Sequence, residues 1–303
     1  MKPQSEGQLV FHRFIRHRAA MVGLAILLLI VIVSYSSVGV RVAGWHIPGW
    51  WKYDHTALLP IENGGHPTRD HPFGQDVVGH DVFALTMKGV QTSIYVMVVL
   101  SVVACLMGIT VGAIAGYYRG WVDHALMRLT DLVITFPVIV IGAVLGKLVQ
   151  SNGPTALAVA LGLIFWTTLA RLVRGEFLTL REREFVDAAR VAGASGFRII
   201  RKHLLPNAMG VIIVNTTLLM AAAVLLETGL SFLGFGISSP DISLGKMISD
   251  YQAAFSTRPW LFWWPGFFII VLALSVNFVG DGLRDAFDPR QQRLPSARWR
   301  FIR

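Results

Sequence analysis

Apolar positions fall in long runs that carry almost no charge, and polar residues collect between them. The first run, residues 19–40, contains no charged side chain. A bilayer core about 30 Å thick is crossed by about 20 apolar residues in helix. Five further runs fit that rule to different degrees: 92–116, 132–149, 156–170, 208–227 and 261–280. Lys147 interrupts the run at 132–149, and 156–170 is short. Backbone groups in hydrocarbon must be bonded internally, so such runs are helices. The pattern predicts an all-α, polytopic membrane protein with about six transmembrane helices. Its parts are an N-terminal segment 1–18, a transmembrane domain 19–280 and a C-terminal tail 281–303. Two longer polar segments interrupt the middle part, at 41–91 and 171–207.

Composition agrees. The 303 residues are 54% hydrophobic and 15% charged, against about 25% charged in soluble domains. Of the 27 Lys and Arg, only Arg41, Lys52, Arg69, Lys88, Lys147, Lys246 and Arg258 fall outside if the N-terminus is inside. Basic residues favour cytoplasmic loops, so both termini are expected in the cytoplasm, and the net charge of +9 needs no nucleic acid. Lys2, Arg13, Arg16 and Arg18 precede an apolar run longer than the 7–15 residues of a signal peptide core, which reads as an uncleaved anchor.

The motifs of soluble catalysis are missing from the sequence. Gly245-Lys246 lacks the rest of a phosphate-binding loop. There is no Gly-x-Ser-x-Gly, no His-Glu-x-x-His, and only one cysteine, Cys105. The reading is therefore that the chain is not an enzyme, binds no cofactor and holds no metal.

The segment 171–207 is the most distinctive. Good helix formers fill 176–192, Gly193 and Gly196 permit a turn, and 197–205 predicts a second short helix ended by Pro206. Small Ala188 and Ala189 allow close approach of another surface, and Phe185, Val186 and Val191 offer apolar contact. From these residues alone, a docking element and an amphipathic loop resting on lipid both remain open.

Asp187-Ala188-Ala189, then Gly193, then Leu205-Pro206 resembles the Glu-Ala-Ala signature of ATP-binding-cassette importer permeases. Asp187 replaces the usual Glu, and His203 is similar to the peptide-importer branch. His71-Pro72-Phe73-Gly74-Gln75-Asp76 with Gly79-His80-Asp81 also resembles that branch. So do Gly116-Tyr117-Tyr118, Arg181-Glu182-Arg183-Glu184, Leu230-Ser231-Phe232-Leu233-Gly234 and Gly280-Asp281-Gly282-Leu283-Arg284-Asp285.

The resemblance implies a type I importer permease fold with a cytoplasmic coupling helix. It assigns Glu184, Phe185, Val186, Asp187, Ala188, Ala189, Arg190, Gly193, Leu205 and Pro206 to coupling with an ATPase. The implied partners are a paralogous permease subunit, two ATPase subunits that bind ATP and Mg, an extracytoplasmic solute-binding protein and lipid, in a bacterial cytoplasmic membrane. The implied cargo is dipeptides or oligopeptides. Nickel or another small solute is the alternative, and an ATP-independent channel or secondary transporter is the competing class.

Three positions are candidates for a substrate pathway. Glu227 is an ionisable group at the end of a span, where charge is costly and often functional. Gly112 and Gly116, with Gly108, form a smooth stripe that serves either helix packing or a passage. Pro137 predicts a kink. Arg128 and Asp131 share a helix face and predict an ion pair. Trp45, Trp50, Trp51, Trp260, Trp263 and Trp264 suit an outer aromatic belt.

Overall fold

A computed structural model of the chain describes residues 6–42 and 45–288. The helices are α1 (Glu6–Arg16), α2 (Arg18–Ser37), α3 (Val82–Tyr118), α4 (Gly120–Thr135), α5 (Val138–Val149), α6 (Gly153–Leu180), α7 (Glu184–Val191), α8 (Gly196–Ile199), α9 (Leu205–Phe232), α10 (Leu244–Tyr251) and α11 (Trp260–Phe287). A small antiparallel hairpin, β1 (Val40–Val42) with β2 (Trp45–Ile47), is the departure from an all-α chain. Among the described residues, five helical stretches are long and apolar enough to cross a membrane: Arg18–Ser37, Val82–Tyr118, Val138–Leu180, Gly196–Phe232 and Trp260–Phe287.

The 132–149 run does not form one helix. Phe136 is extended, as a residue before proline is driven to be, and Pro137 caps α5. The remaining 12 residues of α5 rise about 18 Å, too little to cross alone. The expected kink at Pro137 is thus a complete break between α4 and α5. Gly153, at φ +80°, turns the chain into α6, and α5 packs against α6.

Two expectations for 171–207 need correction. Helix α6 runs on to Leu180, and Arg183 is extended, so 176–192 is divided between α6 and α7. Pro206 does not end a helix. Its ring and missing N–H conflict with the carbonyl of residue i−4 in a regular helix. Here Ile200–Leu204 widens into a π turn, Leu205 N–H donates to Ile200 O, and the proline falls in the first turn of α9.

The principal core joins α2, α3, α6, α9, α10 and α11 through residues such as Leu100, Leu161, Val224, Leu244 and Leu272. Helices α3 and α6 make the closest pair, along the glycine stripe. A Cβ on Gly108 would lie 2.9 Å from Leu169 Cβ, one on Gly112 2.5 Å from the Ala170 carbonyl, and one on Gly116 2.6 Å from Phe177 Cβ. Gly112 and Gly116 are therefore buried where two helices meet, and line no open passage of this subunit. Gly112→Val is expected to overpack this contact at a cost of about 1–3 kcal/mol. A lowered melting temperature of the purified chain is the check; an unchanged one contradicts the packing role.

Candidate functional site

The end of the bundle opposite the 45–81 loop carries α7 as a protruding knuckle. Glu184 and Asp187 lie in its first turn and Arg190 in its last, each on the side the helix dipole favours. Arg190 Nη1 donates to Asp187 Oδ1 at 2.9 Å, an exposed pair that contributes little. Gly193, at φ +78°, closes the helix. Its N–H donates to Arg190 O at 2.9 Å, and Ala194 N–H donates to Ala189 O at 3.0 Å. A left-handed residue at this position is the usual way to satisfy terminal carbonyls.

The two faces of α7 differ. Val186 is fully buried and Ala189 half-buried, whereas Phe185, Ala188 and Val191 point outward, with Val191 91% exposed. Beneath Val186 lies a second core built from Ala113 of α3, Val173 and Phe177 of α6, Ile199, Leu204, and Ala208 and Ile212 of α9. Leu205 packs against this core, while Pro206 is exposed. The structure thus gathers Glu184 to Gly193 with Leu205 and Pro206 at one end, and roots the knuckle between α6 and α9.

Arginines on and after α6 tie the same end to the α3–α4 corner. Arg174 donates to Asp123 through Nε at 2.5 Å and Nη2 at 2.6 Å. Arg171 donates to Asp131 at 2.6 Å, and Arg119 pairs with Glu182 at 2.7 Å. Arg181 donates to the Tyr117 carbonyl and its guanidinium lies over that ring. The expected Arg128–Asp131 pair is long, at 3.9 Å, with Arg128 85% exposed; Arg171 is the shorter partner of Asp131. Sequence reasoning gave Asp123 and Arg174 no role of their own. The available signal was an acidic residue near an apolar run, with two arginines three apart on a later helix.

The Arg174 guanidinium holds the Asp123 carboxyl below its usual range, against the opposing effect of partial burial. The folded pKa is depressed, so this contribution is complete above the unfolded value of about 3.9 and is lost as pH falls through the lower folded value. Asp123→Asn is expected to loosen α4, which buries little else than Asp123 and Thr130. Faster amide exchange across 120–135, by about tenfold, is the expected readout for a lost charged hydrogen bond. Unchanged exchange would show that the pair does not hold α4.

Glu227 is 1% exposed and faces no open surface of this subunit. Three hydroxyls donate to its carboxylate: Ser93 Oγ of α3 at 3.2 Å, Ser231 Oγ at 2.7 Å and Ser243 Oγ, the cap of α10, at 2.7 Å. Each hydroxyl accepts in turn from a backbone N–H, of Leu244, Ile237 and Lys246 respectively. The carboxylate therefore joins α3, α9 and α10.

Aromatic and histidine residues knit the 45–81 loop onto α3 and α11. Phe73 stacks on Trp264 with centroids 3.7 Å apart, Trp51 packs on Phe83, and His71 Nδ1 lies 3.0 Å from Oδ2 of Asp81, the cap of α3. Asp76 accepts from the N–H groups of Val78, Gly79 and His80 and from the Tyr251 hydroxyl. Burial opposes its charge, but the hydrogen bonds of His80 and Val78 prevail and hold the carboxyl below its usual range. Among the described residues no three metal-capable side chains converge. Trp45 and His46 side chains, and residues 289–303, lie outside the described residues.

Comparison with known proteins places this geometry. Residues 108–293 match the family of binding-protein-dependent transport system inner membrane components. Residues 5–43 match the N-terminal transmembrane domain of oligopeptide transport permease C. The chain is 38% identical to the oligopeptide transport system permease protein OppC of Mycobacterium tuberculosis, over 96% of this chain and 97% of that protein. It is 38% identical to a putative peptide permease protein of Brucella suis (93% and 90% covered) and 35% identical to OppC of Bacillus subtilis (93% and 88%). A solved structure of inward facing conformations of the MetNI methionine ABC transporter aligns with a TM-score of 0.55 at 20% identity, over 67% of this chain and 97% of that one. That likeness extends to the fold. With its membrane-spanning bundle and its family match over most of its length, the chain belongs to the inner membrane components of binding-protein-dependent transport systems: it is a permease subunit.

Proposed function

We propose that the chain is one permease half of an ATP-driven importer of peptides, and that α7 is the lever through which a separate ATPase moves it. The observation that carries this reading is the division of α7: an exposed apolar face at Phe185, Ala188 and Val191, and a buried Val186 rooted between α6 and α9. A push on the outer face has a packed route into two membrane helices. The relatives named above as peptide permeases support peptides as cargo. In this reading Glu184 to Gly193, with Leu205 and Pro206, form the docking region. Both termini and the knuckle lie in the cytoplasm, in keeping with the bias of Lys and Arg.

The remaining machinery is expected in partners. A related permease subunit completes the passage, two ATPase subunits bind ATP and Mg, and a solute-binding protein delivers cargo to the outer loop. Nucleotide shifts the balance between inward and outward states only through contacts that differ between them. Uptake of a labelled oligopeptide into vesicles holding the assembled importer tests the reading. Uptake that requires internal ATP and the solute-binding protein is expected. Uptake without ATP contradicts it in favour of a channel, and ATP-driven uptake of nickel but not peptide overturns the cargo alone.

A further inference from the structure

A groove of about 1010 Å³ opens between α1, the start of α9 and the end of α11, at the same end of the bundle as α7. Its walls are largely apolar, including Val10, Phe14, Met209, Val214, Leu283 and Phe287. Arg13 and Arg284 share the lining. Helix α1 is held in place over this groove. His17 Nε2 lies 3.2 Å from Asp285 Oδ2, and Arg13 Nη1 donates to the Ala286 carbonyl at 3.4 Å. Phe11, 62% exposed, lines the groove as well, and beyond it α1 exposes Ile15 beside Arg16. A short amphipathic helix with basic residues, laid across the ends of membrane helices, occupies the depth of lipid headgroups.

We propose that this groove is a binding site for an anionic phospholipid, with acyl chains along the apolar walls and the headgroup beside Arg13 and Arg284. Two chemical facts select this occupant. An apolar cleft that meets the bilayer edge is filled by lipid chains at a gain of about 0.8 kcal/mol per buried CH₂. Basic side chains at the cytoplasmic mouth of such a cleft favour acidic headgroups. Arg16 and Arg18, both exposed, extend the basic rim beyond the groove. Glu176 and Asp288 also line it and offset Arg13 and Arg284, so the net positive charge at the mouth comes from Arg16 and Arg18 beside it. The choice of leaflet rests on the orientation proposed above; the binding itself does not. Such a lipid would brace α1 against the foot of α9, the helix that carries motion away from α7.

The test uses the full chain assembled with its partner subunits in vesicles of phosphatidylglycerol and phosphatidylcholine, each supplied with a photoactivatable acyl chain. Phosphatidylglycerol is expected to label peptides containing Val10–Phe14 and Met209–Val214 well above phosphatidylcholine. Arg13→Gln with Arg284→Gln should reduce that labelling about 25-fold, since each basic group contributes about fivefold. Arg13→Lys with Arg284→Lys keeps the charge and should keep the labelling, which separates binding from misfolding. Equal labelling by the two lipids, or labelling indifferent to the Gln changes, overturns the site. So does a benzophenone side chain at Val211 that captures residues 289–303 or another polypeptide in place of lipid.

Discussion

Val191→Glu is expected to reduce ATP-driven uptake at least about a hundredfold while the permease remains folded and at its normal level in the membrane. The side chain is 91% exposed, so the change disturbs no packing within the chain. If the outer face of α7 sits in a groove of the ATPase, the new carboxylate is buried there without a partner. An uncompensated buried charge costs about 3–5 kcal/mol, and every 1.4 kcal/mol is about tenfold in occupancy. A negative charge near a helix C-terminus has its own small cost of about 0.3–1 kcal/mol. Val191→Arg separates the two effects, because it suits the dipole and still buries a charge. Both variants should therefore fail in transport, and normal uptake by either would remove α7 from the docking site. Val186→Ala should act differently, by leaving a cavity in the second core and lowering stability.

The second large effect concerns Glu227. Its three serine partners each use a lone pair on a backbone N–H, so all three hydroxyl protons are directed at the carboxylate. Gln at this position puts an NH₂ in place of a carboxylate oxygen, so a serine hydroxyl that donated to it must turn its proton away and a charge-assisted hydrogen bond is lost. That costs about 1–3 kcal/mol. Glu227→Ala adds a cavity and three unmet hydroxyls, and is expected to cost more than Glu227→Gln. The measurement is the melting temperature of the purified chain, with abundance in the membrane as a second readout. A large loss of stability is expected for Glu227→Ala, with α10 exchanging its amides faster. Wild-type stability combined with a raised KM for peptide would instead return Glu227 to the substrate pathway.

The apolar spans were legible because period and length alone specify a membrane helix; α3, α6, α9 and α11 contain their predicted runs, and α2 covers 19–37 of the run 19–40, whose end passes into β1. What composition does not encode is where a run breaks. The Phe136-Pro137 break was readable as a kink, but its full separation of α4 from α5 depends on α5 folding back on α6. Pro206 was misread as a terminator because the π turn that absorbs it is a property of the packed helix, not of the residue. Helix α10 is too short and mixed to stand out until Ser243 caps it and Glu227 holds the cap.

The coupling segment was recognisable from Asp187-Ala188-Ala189 and Gly193. Its division into a buried Val186 and an exposed Val191 needed the core beneath it. The role of Glu227 was ambiguous for a related reason. A lone carboxylate in an apolar run signals expense, and only the positions of Ser93 and Ser243, far away in sequence, show that the fold compensates it.

The most direct test places a cysteine at Ala188, in a Cys105→Ser background so that it is the only thiol in the chain. A short crosslinker from that thiol, in vesicles of the assembled importer, is predicted to reach a nucleotide-hydrolysing subunit, with a yield that changes when ATP is bound. Crosslinks that go only to lipid, or to no ATPase under any nucleotide condition, would contradict the lever.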